Sequence, residues 1–473
     1  MNNRYKKLMN NSLTFSVGNL GSKLINFLLV PLYTYVLTTS QYGTVDVLTT
    51  TVAVFLPIVS LSIFDAVFRF LMDKNENEKS VFTNGLLVTL YSAALMMVAY
   101  PILLFLKIPF AFSFLIILFL NVLLAIFQNF TRAVGFVKIF ALTGIVNAFT
   151  LGLFNILFLV IFKFGIYGYL FSIIFSLICS IIFISLTTKI WRFIDLQYLS
   201  FKEIKRFLEY SIPLIPNSLS WWMTNDASRF FILFFVGVSG NGLFAVSNKI
   251  PTILSVFFSI FAQAWQISAV SEFDQDDASD FYSKVFNLLI SFSFISVGFF
   301  VLFIKPFMSI YVSSDFFKAW QYVPVLLLAA TFSNFSSFLG TIYLAAKKTS
   351  GIFFTTMFGM IINVLACVLL IPVIGVHGAG VGGTLGFLTV TLLRYFQTRK
   401  ILVININWRA SVISFLIILI MTGILLAQVP FSYVINTILM ILILAVNRRQ
   451  LSSILNKIVA LILKKQDHFS QKR

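Results

Sequence analysis

Residues 139–188 read IFALTGIVNAFTLGLFNILFLVIFKFGIYGYLFSIIFSLICSIIFISLTT. Lys163 is the one Asp, Glu, Lys or Arg in this stretch. An apolar stretch of about 20 residues crosses the hydrocarbon core of a bilayer as a helix. The segment therefore reads as two spans, 139–162 and 165–188, joined by a turn at Lys163-Phe164. Outward from it the same texture fills the chain. Twelve further spans are predicted at 13–37, 44–70, 82–106, 110–132, 208–236, 242–269, 284–304, 321–345, 352–372, 376–398, 409–427 and 430–447. A chain that is 59% hydrophobic and 11% charged has no soluble core of matching size, so lipid is its solvent. Fourteen spans in 473 residues leave about 34 per span with its loop, and no room for a soluble domain. The longest non-apolar stretch, Thr187 to Arg206, reads as a linker.

Charge gives the orientation. Of the 34 Lys and Arg residues, 27 lie at the N-terminus, in the gaps after even-numbered spans and in the tail, counting Arg69, Arg132 and Arg394 at boundaries. The gaps after odd-numbered spans hold Lys107, Lys163, Lys305 and Lys318, while Lys23, Arg229 and Lys249 lie within spans. Cytoplasmic loops keep positive charge, so both termini are expected in the cytoplasm. The net charge of +18 sits at membrane boundaries and not along one basic face, which argues for anionic membrane lipid as partner and against nucleic acid. The basic start MNNRYKKLMNNSLTF runs into a long span without a small-residue cleavage site and reads as a retained first helix. At the other end, Leu451, Ile454, Leu455, Ile458, Leu461 and Ile462 recur at helical spacing among Arg448, Arg449, Lys457, Lys464 and Lys465. Asn447 to Lys465 is expected to be an amphipathic helix on the inner leaflet.

Metal and cofactor signals are absent from the sequence. Cys179 and Cys367 sit inside apolar segments and read as small packing residues. His377 and His468 lack a ligand cluster, so no metal site is expected. The acidic loop Glu272, Asp274, Asp276, Asp277 and Asp280 lacks the alternating spacing and central Gly of a calcium loop. Gly378-Ala-Gly380-Val-Gly382-Gly383 satisfies G-x-G-x-x-G but opens a span with no strand before it. Gly378, Gly382 and Gly386 instead form a small-residue stripe for close helix packing. With no phosphate loop, nucleotide hydrolysis is not the energy source.

The chain repeats itself. Ser40-Gln-Tyr-Gly43-Thr-Val45 after span one echoes Ser239-Gly-Asn-Gly242-Leu-Phe after span seven, and the shift of 199 residues also sets Asn26 on Asn225. Phe164-Gly165-Ile166-Tyr167-Gly168 echoes Ile374-Gly375-Val376-His377-Gly378 at a shift of 210. Two halves of six spans in the same orientation form a parallel repeat of the kind transporters use. The expected organisation is an N-lobe over 1–200 (spans one to six), a C-lobe over 201–405 (spans seven to twelve), and spans thirteen and fourteen with the tail over 406–473.

With these motifs the chain resembles the multidrug/oligosaccharidyl-lipid/polysaccharide exporter superfamily over roughly residues 10–460, and within it is most similar to Wzx-type flippases of polysaccharide repeat units. That resemblance implies an all-α integral membrane fold with two pseudo-symmetric six-helix lobes in a V plus two C-terminal helices. It also implies a central cavity that opens alternately to each side of a bacterial cytoplasmic membrane. The implied substrate is an undecaprenyl-pyrophosphate-linked oligosaccharide. Polysaccharide polymerase and glycosyltransferases would be its partners, and a proton or sodium gradient its drive.

Ionisable groups inside spans are expensive and usually face a cavity. Lys23 lies near mid-depth of span one; Asp65 and Arg69 are i,i+4 on span two; Asp226 and Arg229 are i,i+3 on span seven; Lys249 is on span eight. Arg229 and Lys249 each lie ten residues from Ser239, so an antiparallel hairpin puts them at one depth with Asp226, giving a local charge of +1. Lys23, Arg69, Arg229 and Lys249, with Asn26 and Asn225, are the candidate pyrophosphate-binding residues. Asp65 and Asp226 are the candidate coupling carboxylates, against the plainer reading of both as static Asp–Arg pairs. Trp221, Trp222, Trp265 and Tyr33 are candidates for stacking on sugar faces. Three other functions stay open on sequence: a drug/cation antiporter, expected to prefer an acidic cavity; a peptidoglycan-precursor flippase; and, of another class, a membrane polysaccharide polymerase. The polymerase reading suffers because the longest external loop, Lys305 to Gln321, is short and carries neither Arg nor His.

Overall fold

A computed structural model describes residues 20–73, 76–346, 348, 350–450 and 452, apart from the side chains at 221, 263, 264, 267, 270 and 271. Among the described residues all regular structure is helical. In chain order the helices are α1 Leu20–Val36, α2 Thr39–Val59, α3 Ile63–Leu71, α4 Glu78–Phe105, α5 Ala111–Ala133, α6 Val137–Ile161, α7 Gly165–Thr188, α8 Phe201–Ser211 and α9 Ile215–Asn225. They continue as α10 Ser228–Phe235, α11 Val238–Ser247, α12 Lys249–Ser271, α13 Ala278–Tyr311, α14 Val323–Ala345, α15 Ser350–Ile374, α16 Val376–Thr398, α17 Trp408–Leu426 and α18 Ser432–Val446. Among the described residues eleven stretches are long and apolar enough to cross a membrane, with Leu20–Val36 and Ser432–Val446 as shorter apolar helices. The remaining expected span, the seventh, is broken into α9 and α10, neither long enough alone. The expected N-terminal start and most of the amphipathic tail, with His468, lie outside the described residues.

Local chemistry explains where spans two and seven depart from expectation. Helix α2 starts at Thr39 and not at 44, because Thr38 and Gln41 form a capping box: Gln41 N–H donates to Thr38 Oγ1 at 3.2 Å and Thr38 N–H to Gln41 Oε1 at 3.1 Å. The span stops near Pro57, passes through Leu61 and Ser62 at φ +50°, and resumes as α3. At the other break the hydrogen-bond ladder tightens, with Arg229 N–H donating to Asp226 O and Phe230 N–H to Ala227 O, three residues back.

Packing divides the chain into two compact units: the described residues through Lys249 with Val312–Phe316, and Ile250–Tyr311 with the residues from Phe317 onward. In the first unit, Ile63, Val67, Phe82, Ile126, Phe130 and Phe207 form one core, and Val45, Leu48, Ile117, Val122 and Leu170 another. The expected linker is a strap held against the helices. Asn84 donates to Tyr198 O and accepts from Ser200 N–H, both at 2.9 Å, while Arg206 pairs with Glu76 at 2.9 Å and lies over Phe70. Lys79 donates to Asp195 at 3.1 Å and holds its carboxyl below the usual range. That support is present at neutral pH and is lost as pH falls through the lowered value.

The repeat motifs meet inside this unit. A Cβ on Gly43 would stand 2.1 Å from Val238 O, and one on Gly242 would stand 2.0 Å from Thr39 O. Both contacts relate by the same shift of 199 residues, so the contact is reciprocal, as a two-fold relation between repeats requires. Thr39 and Ser239 hydroxyls hydrogen-bond at 2.7 Å beside it.

In the second unit the glycine stripe performs as read. A Cβ on Gly378 would meet Ile371 N at 2.5 Å and one on Gly386 would meet Gly359 O at 2.9 Å, so α15 and α16 touch backbone to backbone. Arg394 is 6% exposed and not a boundary charge. Its guanidinium donates to Ser336 O at 2.7 Å, Thr356 Oγ1 at 3.0 Å and Thr355 Oγ1 at 3.1 Å, tying α14, α15 and α16 together.

Gly43→Ala or Gly242→Ala must push the backbones apart, and overpacking of this kind costs about 1–3 kcal/mol. Each is expected to lower the thermal midpoint of the purified protein. Gly423→Ala, with nothing within 4 Å of the added carbon, should leave it unchanged or raise it. Equal midpoints for all three variants would refute the tight contact.

Candidate functional site

The interruptions in spans seven and eight bring polar side chains against α2. Asp226 caps α9 at its C-terminal end, Arg229 lies in the first turn of α10, Asn241 lies on α11 and Lys249 begins α12. Arg229 bridges two carboxylates. Its Nε donates to Asp46 Oδ2 at 2.9 Å and its Nη1 to Asp226 Oδ1 at 2.5 Å. Asn241 Nδ2 donates to Asp46 Oδ2 at 3.1 Å and to Gly43 O at 3.3 Å. Lys249 interacts electrostatically with both Asp46 and Arg229. The guanidinium also stands 5.7 Å from the centre of the Phe244 ring.

Three sequence expectations are corrected here. The Asp226–Arg229–Lys249 group does assemble, but Asp46 joins it. Two carboxylates face two cations and the balance is zero, not +1. Asp46 was missed because span two was expected to begin at 44, which made it a boundary residue; the capping box places it seven residues into α2. The readable signal was its position one helical turn after Gly43, on the face turned to α11. Second, Asp65 and Arg69 do not pair. Arg69 donates to Asp73 at 2.8 Å with both side chains 51% exposed, and Asp65 is half-buried in the first turn of α3. Third, two proposed sugar platforms are covered. Trp265 is 4% exposed, stacks on Phe338 at 4.5 Å and donates to Thr341 Oγ1 at 3.0 Å. Tyr33 is 3% exposed, stacks on Tyr169 at 4.5 Å and accepts from Asn155 Nδ2 at 2.9 Å.

The other candidates stand apart. Lys23 is half-buried on α1 and, among the described residues, has no ion-pair partner. Asn26 is exposed on the same helix, and Asn225 is exposed at the end of α9. Trp222 is partly covered, its indole N–H donating to Thr50 O at 3.3 Å, and the Trp221 side chain lies outside the described residues. Among the described residues no three His, Cys, Asp or Glu side chains group as metal ligands.

Removing one partner of a buried ion pair leaves an uncompensated charge in a low-dielectric interior. Arg229→Gln leaves Asp46 and Asp226 without their shared cation and should cost about 3 kcal/mol, the low end for a buried pair because Asp46 keeps 14% of its side chain exposed. Asp226→Asn keeps a hydrogen-bond acceptor and should cost less. Asp46→Asn combined with Arg229→Gln should recover part of the loss. Thermal midpoints of the purified variants check this; a smaller shift for Arg229→Gln than for Asp226→Asn would contradict the shared-cation arrangement.

A family model described as "Polysaccharide biosynthesis protein" matches residues 8–266. No curated protein matches significantly in sequence. Among solved structures, the lipid II flippase MurJ in an inward closed conformation superposes with TM-score 0.67 at 16% identity, covering 94% of this chain and all of the other. A point mutant of the Vibrio cholerae MATE transporter VcmN gives 0.58 at 13% identity, covering 84% of this chain and 96% of that one. A MOP superfamily transporter from Pyrococcus furiosus gives 0.60 at 14% identity, covering 84% of this chain and 95% of that one. These likenesses establish a shared membrane-transporter fold.

Proposed function

The chain belongs to the polysaccharide biosynthesis protein family of the multidrug/oligosaccharidyl-lipid/polysaccharide exporter superfamily, and from that premise we propose that it is a Wzx-type flippase. In this reading it carries undecaprenyl-pyrophosphate-linked oligosaccharide repeat units to the outer leaflet of a bacterial cytoplasmic membrane, by alternating access and without being an enzyme. The observation that carries the reading is the salt-bridged cluster around Arg229, set among broken helices of a membrane-transporter fold. Discontinuous helices with exposed backbone termini and side-chain charges are where transporters of related architecture hold ionic substrates.

Lys23, Arg229 and Lys249 supply cations to the pyrophosphate, with Asn26 and Asn225 as hydrogen-bonding partners, and Arg69 contributes by exchanging Asp73 for phosphate. An ion gradient, proton or sodium, drives the cycle. Asp226 shares Arg229 with Asp46, so movement of α2 against α10 changes which carboxylate holds the guanidinium and therefore the cation affinity of the other. Asp65, with no Arg partner among the described residues, is the weaker coupling candidate. Because the cluster is neutral, net charge no longer argues against a cation antiporter; the family does. The peptidoglycan-precursor flippase is a second reading, favoured by the 94% coverage of this chain by the MurJ fold.

In a strain lacking the gene, Lys23→Glu together with Lys249→Glu should remove surface polysaccharide while the protein remains in the membrane. Each lost charge-assisted contact costs about 1.5–3 kcal/mol, and reversal adds repulsion. Normal polysaccharide output from the double variant would take these residues out of the substrate site. Rescue of growth in cells depleted of their lipid II flippase, without effect on surface polysaccharide, would favour the second reading. In liposomes with imposed gradients, gradient-stimulated flipping left intact by Asp65→Asn and by Asp226→Asn would end their coupling role.

Orientation has its own check. Cysteines at Ser40 and Ser239 should react with an impermeant thiol reagent on intact cells, and cysteines at Lys202 and Lys348 should not. Labelling at Lys202 or Lys348 from outside would invert the proposed topology, which places both termini in the cytoplasm.

A further inference from the structure

Helices α12, α13 and α14 line a half-open cavity of about 390 Å³ in the second unit, and no residue of the Arg229 cluster lines it. Its walls are apolar and rich in aromatics: Phe257, Phe258 and Phe261 from α12, and Phe292 from α13. Two polar side chains break that surface. Ser293 on α13 is 3% exposed and Asn334 on α14 is 6% exposed, and both line the cavity. Among the described residues neither side chain makes a hydrogen bond.

Such a pair is costly in this position. Ser293 lies fifteen residues from the start of α13, and Asn334 eleven residues from the start of α14. At 1.5 Å per residue these are about 22 Å and about 17 Å along membrane-crossing helices, well inside the hydrocarbon depth. An amide or hydroxyl left unpaired there costs several kcal/mol unless something bonds to it. Backbone acceptors one turn back satisfy many other Ser and Thr hydroxyls of this chain, as Ser283 and Thr331 do. Ser293 forgoes that bond and faces the cavity.

A mostly apolar concavity of several hundred cubic ångströms with a few convergent polar groups, set between helices of a bundle, is the usual form of a small-molecule site. We propose that this cavity binds a neutral single-chain amphiphile, an apolar chain ending in a hydroxyl group, taken up from the bilayer. The hydroxyl both donates and accepts, which suits an amide and a hydroxyl together. Among the described residues no charged side chain lines the space, so a phosphate or carboxylate would enter without a counter-ion. A sugar would leave most of its hydroxyls against phenyl rings. Phe257 at 58% and Phe292 at 56% exposure stand where the cavity opens, which gives an apolar chain a path in from lipid.

The full-length protein in phosphatidylcholine nanodiscs would be photolabelled with a diazirine-bearing hexadecanol, with the matching diazirine-bearing hexadecane as control, and labelled peptides mapped by mass spectrometry. Hexadecanol should label α12 and α13 at the cavity, and excess unlabelled hexadecanol should displace it. The alkane should label about tenfold less, the equivalent of one lost hydrogen bond of roughly 1.4 kcal/mol. Ser293→Ala with Asn334→Leu should remove the preference for the alcohol, and Leu289→Trp should fill the space and abolish labelling at the cavity. Equal labelling by alkane and alcohol in the unaltered protein would overturn the proposal as ordinary contact with lipid tails. Absence of displaceable labelling would overturn it as a water-filled void. The alkane comparison needs no variant, so it decides even if the substitutions impair folding. No residue of the Arg229 cluster takes part, so failure here leaves the flippase reading as it stands.

Discussion

A guanidinium inside a lipid-solvated protein must find its polar partners within the protein, and Arg229 finds two carboxylates, Asp46 and Asp226. Much of the first unit follows from that requirement. The carboxylates come from different spans, so α2 and α10 must approach closely. Asp226 sits at the end of a helix, and Arg229 lies in the first turn of the next one. The broken span is therefore the geometry in which one cation reaches two anions.

The glycine contact makes that approach feasible. Gly43 and Gly242 bring α2 and α11 to backbone contact, and Asp46 lies one turn further along the same face, where Asn241 holds it. The reciprocal contacts of Gly43 with Val238 and Gly242 with Thr39 are the structural counterpart of the repeat. The ion pair is not reciprocal: the position 199 residues after Asp46 is Ala245, so the repeat has kept the packing and placed the charge on one side only.

The second unit solves the same solvent problem by other means. Glycines let α15 and α16 touch, and the buried Arg394 is held, among the described residues, by hydroxyls and a carbonyl and not by a carboxylate. That arrangement spreads the guanidinium charge over oriented dipoles from three helices and pins them. The cavity beside Ser293 and Asn334 departs from this economy of polar groups, since these two meet no partner among the described residues.

The membrane class, the repeat and the glycine stripe were all legible in the sequence, because each depends on period and composition along one helix. So was the meeting of Asp226, Arg229 and Lys249, which follows from distances along a single hairpin. What the sequence could not supply was partner choice between distant segments. Arg69 has Asp65 one turn before it and Asp73 one turn after it, at equal spacing, and only the exposed end of α3 decides for Asp73. Trp265 and Tyr33 are candidates for sugar stacking on sequence because exposure has no one-dimensional signature on an all-apolar helix; packing against Phe338 and Tyr169 buries them. Asp46 became part of the site through a hydrogen-bonded cap eight residues earlier and a glycine contact with a helix almost 200 residues later. A sequence lists the charges, but the tertiary fold pairs them, since attraction depends on separation through space.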